Sequence, residues 1–437
     1  MLTNIIIIGF TLLGVRNILF NQNGVRNAFI WIIWGFCLGY RTFETIPYLF
    51  FHPIEIFSFA CIIRLFTTYH LPIRKIPVIY TVTFGLFFIR LIVGFEFSNM
   101  RVFNEFKNIS FFYQLYFISR FIKYDDEFFL RIAKSYLIPA IYISIFGIIE
   151  YLFPDITSSI FGYQFLNIDL NYSNIDNRIF GRLSFLFWGT HLAANIITPI
   201  FPILLYLKSK KIGILNNNIL LTLLIFLFLT IIYLSGNRVS WLILTVMLIN
   251  TLVFFRSSIF PDIKKYSIFI ISIFITFVYS LPATQRYYSI FNALSGNIDS
   301  QYDASSSKRL ELLNDGIYII SNNIMGVGWG NMHWVHSDLI QILGCAGIIP
   351  GSLFIISLIL LFIKTFRTYN FINRYQVNDQ TKLSLFICIN FLAYVSISLI
   401  LNGNYGLIQC GAPIFILWII VDGYTSDCLD FKQNKIA

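Results

Sequence analysis

A chain of 437 residues in which 57% are hydrophobic and only 12% charged is too poor in charge for a soluble domain, where about a quarter of residues are charged. With a mean hydropathy of +0.73 it reads as an integral membrane protein and excludes a second, soluble domain. The net charge of +10 would suit nucleic acid, but the Lys and Arg residues fall mostly in short connecting loops, where the positive-inside rule accounts for them.

The first stretch, MLTNIIIIGFTLLGVRNILF, has neither a basic n-region nor a small-residue cleavage site, so it reads as a first span and not a signal peptide. Further apolar segments fall near 28–40, 47–69, 75–95, 107–122, 134–153, 184–206, 217–234, 238–255, 266–282, 338–362, 383–401 and 406–421. A crossing helix needs roughly 20 apolar residues. The segments therefore predict an all-α, polytopic bundle of about 12–13 spans, folded as a single transmembrane domain over 1–437. Phe (48) and Tyr (25) suit lipid contact and interfacial anchoring. The six cysteines, at 37, 61, 345, 388, 410 and 428, have neither disulfide nor metal spacing and read as small core residues.

Loop charge orients the spans. Arg64, Arg74 and Lys75 mark one cytoplasmic loop, and Lys208, Lys210 and Lys211 a second. Arg256, Lys264 and Lys265 mark a third, and Lys364, Arg367, Arg374 and Lys382 a fourth. The segments 154–183, 235–237, 283–335 and 402–405 then lie outside, and the C-terminal tail inside. Thirteen spans put the N-terminus outside; a re-entrant or merged 28–40 segment puts it inside. The long loop 283–335 should contain a short amphipathic helix. Ser305, Ser306 and Ser307 can cap it, Leu310, Leu313, Ile317 and Ile320 form its apolar stripe against the bundle or the membrane surface, and Asn322 with Asn323 ends it.

Chemistry concentrates in RLELLNDGIYIISNNIMGVGWGNMHWVHSDLIQILGCAGIIPG, Arg309 to Gly351. Arg238 opens a span on the external side, where cations are depleted, and a guanidinium at that depth can grip a lipid diphosphate through two hydrogen bonds. Arg178, Arg182, Arg286 and Arg309 are further external arginines that can complete a phosphate clamp. His336 stands where the long loop re-enters the membrane, beside Ser337 and Asp338, and a neutral imidazole there can take a proton from a sugar hydroxyl. His333, His336 and Asp338 lack a third strong metal ligand, so no metal is expected. The run Met325 to Gly330 has no strand-turn-helix setting and reads as a tight turn that delivers Trp329 and Trp334 to an interface or a sugar face. His191 lies about two turns inside a span, open to a structural or a substrate-binding reading. Apart from Glu55 and Glu150 near span ends, no acidic residue is expected in mid-membrane, which argues against an ion-coupled transporter.

These features follow one another as Ser235, Gly236, Asn237 and Arg238 before a span, a long external loop with Arg309 early in it, Gly326 and Gly328, then His336 with Ser337. The order resembles that of the bacterial O-antigen ligase/polymerase family. The earlier Arg178 and Gly181 are similar to that family's Arg-x-x-Gly segment. The likeness covers about 178–351 and is topological elsewhere. It implies a C-type glycosyltransferase-like membrane fold in the bacterial inner membrane, multi-pass, with the active site and the loops 154–183 and 283–335 facing the periplasm. The implied enzyme is a metal-independent glycosyltransferase that needs no cofactor. Donor and acceptor would be oligosaccharides on undecaprenyl diphosphate; membrane lipids and a chain-length regulator protein are the other expected partners, and nucleic acid is not one. The implied catalytic residues are His336, Arg238 and Arg309, with Arg178, Arg182, Arg286, His191, Trp329 and Asp338 binding substrate. Repeat-unit polymerisation is the favoured activity. Transfer to lipid A-core by a ligase is the alternative, and a lipid-oligosaccharide flippase is favoured less.

Overall fold

In the computed structural model the described residues are 2–37, 51–68, 72–93, 100–153, 190–235, 237–254, 304–333, 335–375, 379–401 and 408–436. They form, in order, α1 (Leu2–Phe20), α2 (Gly24–Trp34, extended by a 3-10 turn Gly35–Cys37), α3 (Pro53–Thr68), α4 (Val78–Val93), α5 (Met100–Ser119) and α6 (Asp126–Leu152). There follow α7 (Thr190–Ile197), α8 (Ile200–Ser209), α9 (Asn218–Ser235), α10 (Arg238–Phe254) and α11 (Ala304–Asn322). The last four are α12 (Asp338–Ala346), α13 (Ile348–Arg374), α14 (Asp379–Leu401) and α15 (Ile408–Ile436). No strand occurs among the described residues, and the protein is a polytopic helical membrane protein.

Five stretches are long and apolar enough to cross a bilayer: Asp126–Ile149, Asn218–Ser235, Ile348–Arg374, Thr381–Leu401 and Gly411–Asp430. Shorter apolar helices run at Ile5–Phe20, Gly24–Cys37, Val78–Val93, Ala193–Ser209 and Val239–Thr251. The expected span 266–282 lies outside the described residues. Two expected spans are broken. The segment 184–206 divides at Thr198 and Pro199 into α7 and α8, because a proline ring cannot donate to the helical ladder. The segment 338–362 divides at Gly347, whose φ of +99° no right-handed helix contains.

The helices α14 and α15 form the centre, with α5, α7, α10 and α13 packed around them. Much of the aromatic content lies inside this centre and not only at its lipid-facing surface. Phe112 of α5 meets Phe415 and Trp418 of α15 at 5.0 and 5.2 Å, and Trp418 meets Phe354 of α13 at 5.4 Å. Each such edge or tilted ring pair adds about 0.5–1.5 kcal/mol beyond the area it buries.

The two ends of the bundle differ in chemistry. At one end Asp422 of α15 binds Arg120 and Lys364, and accepts the Tyr116 hydroxyl at 3.2 Å. Arg74 joins it there, donating to the Gly423 carbonyl at 3.0 Å and facing Asp427 at 3.2 Å. The same end holds Arg64, which reaches the Asn21 carbonyl at 3.4 Å, and Arg26, which pairs with Asp125 at 2.7 Å. Asp125 also caps α6 through the Phe128 amide at 2.8 Å. Burial works against its ionisation, yet the Phe128 amide and Arg26 outweigh burial and hold its carboxyl below the usual carboxylate value. Ser384, near the start of α14, donates to Asp126 at 3.3 Å and so belongs to this end as well. The loops around 21–23, 72–77 and 120–125, with the start of α14, thus share one side, and α1 runs from there toward the other.

Two further buried carboxylates stand toward opposite ends of the bundle. Glu105 is 3% exposed and Asp422 6%. Both escaped notice because the helices outrun their apolar windows: α5 begins at Met100, well before 107, and α15 continues far beyond 421.

Candidate functional site

The glycine run lies at the end of the bundle opposite the ionic cluster. Glu105 and Ser119 stand 14 residues apart on α5, which is about 21 Å along a helix. The chain leaves α11 at Asn322, turns through Gly326, Gly328 and Gly330, and enters α12 at Asp338. All three glycines have positive φ, at +81°, +93° and +77°, where a side chain would be strained. The loop finishes a helix. α12 is only nine residues long and ends in carbonyls without a helical partner; the amides of Val327 and Gly328 donate to the carbonyls of Gly344 and Cys345 at 2.9 and 3.0 Å. The Ile348 amide returns to the Ile324 carbonyl at 2.9 Å. Backbone meets backbone so closely that a Cβ on Gly326 would lie 2.5 Å from the Gly347 nitrogen, and one on Gly347 2.6 Å from the Met325 carbonyl oxygen.

Side chains from distant helices hold this loop. Arg90 of α4 donates to the Gly326 carbonyl. Glu105 of α5 accepts the Gly330 amide at 2.8 Å. Trp329, expected at an interface or a sugar face, is instead fully buried: its indole donates to the Phe87 carbonyl at 3.2 Å and its ring stands edge-on to Phe87 at 5.3 Å. Packing against α4 accounts for the residue, and its faces are not presented outward. Trp334 lies outside the described residues.

His336 is half-buried and His333 exposed. His336 precedes Ser337, the extended N-cap residue of α12, and Asp338 in the first helical turn is fully buried. A carboxylate there is favoured by the N-terminal end of the helix dipole. The expected helix of the long loop is α11. It begins at Ala304, one residue ahead of the serines expected to cap it. Gly316 faces Ile340, Met332 and Val335, and Ile320 lies by Gly344, so this side of α11 packs on α12 and its approach loop. Leu310 and Ile317 of the expected stripe face outward. Arg309 sits two turns before Gly316 on this helix.

Arg238 is the first residue of α10. Just ahead of it Asn237 is buried, and its side-chain Oδ1 accepts the backbone amides of Val239 and Ser240 at 3.0 and 3.4 Å, an N-cap that fixes where the helix starts. The Asn237 side-chain Nδ2 donates to the Asn195 Oδ1 of α7 at 3.1 Å, and the Tyr394 hydroxyl of α14 donates to the Asn195 backbone carbonyl at 2.8 Å. His191 stands one turn before Asn195 on α7. Both α10 and α12 pack on α14, so the helix that Arg238 opens and the helix that follows His336 share one central neighbour. The side chains of Arg238, Arg309 and His191, and all of Arg178, Arg182 and Arg286, lie outside the described residues. Among the described residues no three His, Cys, Asp or Glu side chains converge as metal ligands.

Sequence reasoning missed Arg90, Glu105, Gln341 and Asn195. Glu105 carried a visible signal, the sole acid of α5, and so did Gln341, a lone amide within the apolar run after Asp338.

Residues 223–355 match the family model described as O-antigen ligase. No curated protein matches the chain. The match spans Arg238, Arg309, the glycine run and His336, whereas Arg178 and Arg182 precede it. It agrees with the O-antigen ligase/polymerase family and with an enzyme of glycosyltransferase type acting in O-antigen synthesis from a multi-pass membrane protein.

Proposed function

We propose that this chain, with its O-antigen ligase-type region at 223–355, is a repeat-unit polymerase. It joins oligosaccharides carried on undecaprenyl diphosphate into O-antigen or capsular polysaccharide at the periplasmic face of the inner membrane. One observation carries the reading: α10, which Arg238 opens, and α12, which His336 precedes, both pack on α14, and the start of α10 is tied to α14 through Asn237, Asn195 and Tyr394. The glycine run before α12 lies at the end away from the Asp422 cluster and its basic loops. That end is external by the positive-inside rule.

In the reaction, the acceptor hydroxyl oxygen bonds to the anomeric carbon of the donor as the bond from that carbon to the diphosphate oxygen breaks. His336 takes the hydroxyl proton. Arg238 and Arg309, with Arg178, Arg182 and Arg286 as further members of the clamp, stabilise the charge that gathers on the departing diphosphate. A diphosphate is already a good leaving group, and fixed guanidinium groups supply the neutralisation that a divalent metal would otherwise give. His191 borders the substrate path in this reading, whereas Asp338, fully buried at the start of α12, does not line it. A chain-length regulator is the protein partner of this reading.

A ligase that transfers the glycan to lipid A-core is the second reading, favoured by the description of the matched family. A flippase fits less well, because the buried charges at the opposite end are committed to one another through Asp422. Deletion of the gene separates the readings. Lipid A-core bearing single repeat units marks a lost polymerase, bare core marks a lost ligase, and absence of periplasmic lipid-linked repeats marks a lost flippase. Complementation with Arg238→Ala or Arg309→Ala should fail, each costing about a hundredfold in rate, with membrane insertion intact; wild-type polymer from both would remove the clamp.

A further inference from the structure

The stretch that delivers His336 is tied at both ends to one buried network. At its start, Glu105 accepts the Gly330 amide at 2.8 Å. The same carboxylate oxygen lies 3.7 Å from the Cys345 thiol, which donates to it. One turn earlier on α12, Gln341 donates its side-chain amide to the Cys345 sulfur at 3.7 Å. The carbonyl oxygen of Gln341 accepts the Val335 amide at 2.9 Å, immediately before His336. Glu105, Gln341 and Cys345 are each at most 3% exposed. Between the two ends Met332 is fully buried, and it fits because its neighbours lack side chains: a Cβ on Gly344 would lie 2.2 Å from its sulfur and one on Gly316 3.1 Å from its methyl.

Gln341 is not needed to start α12, whose N-cap position is Ser337. A leucine would fill its place in a buried apolar helix more cheaply, since a buried amide costs free energy unless it is bonded. What the amide adds is a fixed position for the Val335 backbone. We propose that Gln341 is a positioning residue for His336, holding the backbone next to the imidazole through Val335, with Glu105 as the anchor of that hold across α5. The proposal rests on reading His336 as the group that activates the acceptor, and it adds the residues that aim it.

The test uses the full-length protein in nanodiscs and two readouts. One is site-resolved carbethoxylation of His336 by diethyl pyrocarbonate, followed by mass spectrometry over about pH 5–8, where histidine titrates. The other is turnover of undecaprenyl-diphosphate-linked repeat units, with kcat and KM separated. Gln341→Leu removes the bond to Val335; Gln341→Glu keeps an oxygen acceptor at the same reach. Gln341→Leu should change the rate or pH midpoint of His336 modification and lower kcat on the order of a hundredfold, as a misplacement of about 1 Å does, with KM for the donor little changed. Gln341→Glu, whose oxygen can still accept from Val335, should retain clearly more turnover than Gln341→Leu. If Gln341→Leu does not fold, Gln341→Met, which keeps the length without the oxygen, replaces it. A folded Leu or Met variant with unaltered His336 modification and kcat overturns the proposal, and so does a Glu variant as impaired as Leu. If the wild type turns over no lipid-linked glycan, the functional reading fails, while the modification arm still decides whether Gln341 aims His336.

Discussion

Gly326→Ala should damage this protein more than its size suggests. The added carbon would stand 2.5 Å from the Gly347 nitrogen and 2.6 Å from the Cys345 carbonyl oxygen, atoms of the backbone that cannot rotate away. The residue also has φ +81°, which costs an alanine about 1–2 kcal/mol. Forcing a carbon into packed structure costs about 1–3 kcal/mol more, so the change should destabilise by about 2–5 kcal/mol. Gly85→Ala on α4 is the control, because a Cβ there meets nothing within 4 Å and alanine suits a helix better than glycine. Thermal unfolding in detergent, followed by tryptophan fluorescence, should show Gly326→Ala several degrees below wild type, since domains of about 150–250 residues lose roughly 2–4 °C per kcal/mol. Gly85→Ala should unfold at or above the wild-type midpoint. A Gly326→Ala protein that unfolds with wild type and elongates glycan normally would refute the account of the loop as the cap of α12.

Asp422→Ala strands Arg120 and Lys364 without their shared carboxylate and should destabilise by about 3–5 kcal/mol, read as a lowered unfolding midpoint; an unchanged midpoint would mean the cluster holds nothing together. The Asp125 carboxyl is held below its usual value, so its charge stabilises the fold above the unfolded pKa of about 3.9 and that contribution disappears as pH falls through the lower folded value. Asp125→Asn keeps a cap but loses the charge, so its midpoint should lie below wild type at neutral pH and converge with it in acid; a constant gap would contradict this. A cysteine introduced at Ser300 should react with an impermeant thiol reagent from outside intact cells and one at Arg374 should not, and the reverse pattern would invert the topology.

The apolar stretches were legible because a bilayer sets helix length and composition directly, and α11 was legible from its apolar spacing. What stayed hidden depends on long-range contact. Gly330 and Glu105 are 225 residues apart, and nothing local joins them. The glycine run announced a turn, but its use as the cap of α12 depends on the break at Gly347, which a continuous apolar segment concealed. Trp329 gave a misleading signal, since an aromatic beside glycines suits a binding face as well as it suits a wedge against Phe87. Asn237 was visible beside Arg238, but its bond to Asn195 was not.

In the proposed reaction His336 acts on the acceptor hydroxyl and no metal is needed. The direct measurement is elongation of synthetic undecaprenyl-diphosphate-linked repeat units by the purified protein, with His336→Ala and His333→Ala compared at neutral pH, with and without a chelator. His336→Ala should elongate at least about a hundredfold more slowly, the usual size of a general-base contribution. His333→Ala, altered at an exposed position, should match wild type, and the chelator should change neither. Normal elongation with alanine at 336, or arrest of the wild type by the chelator, would contradict the mechanism.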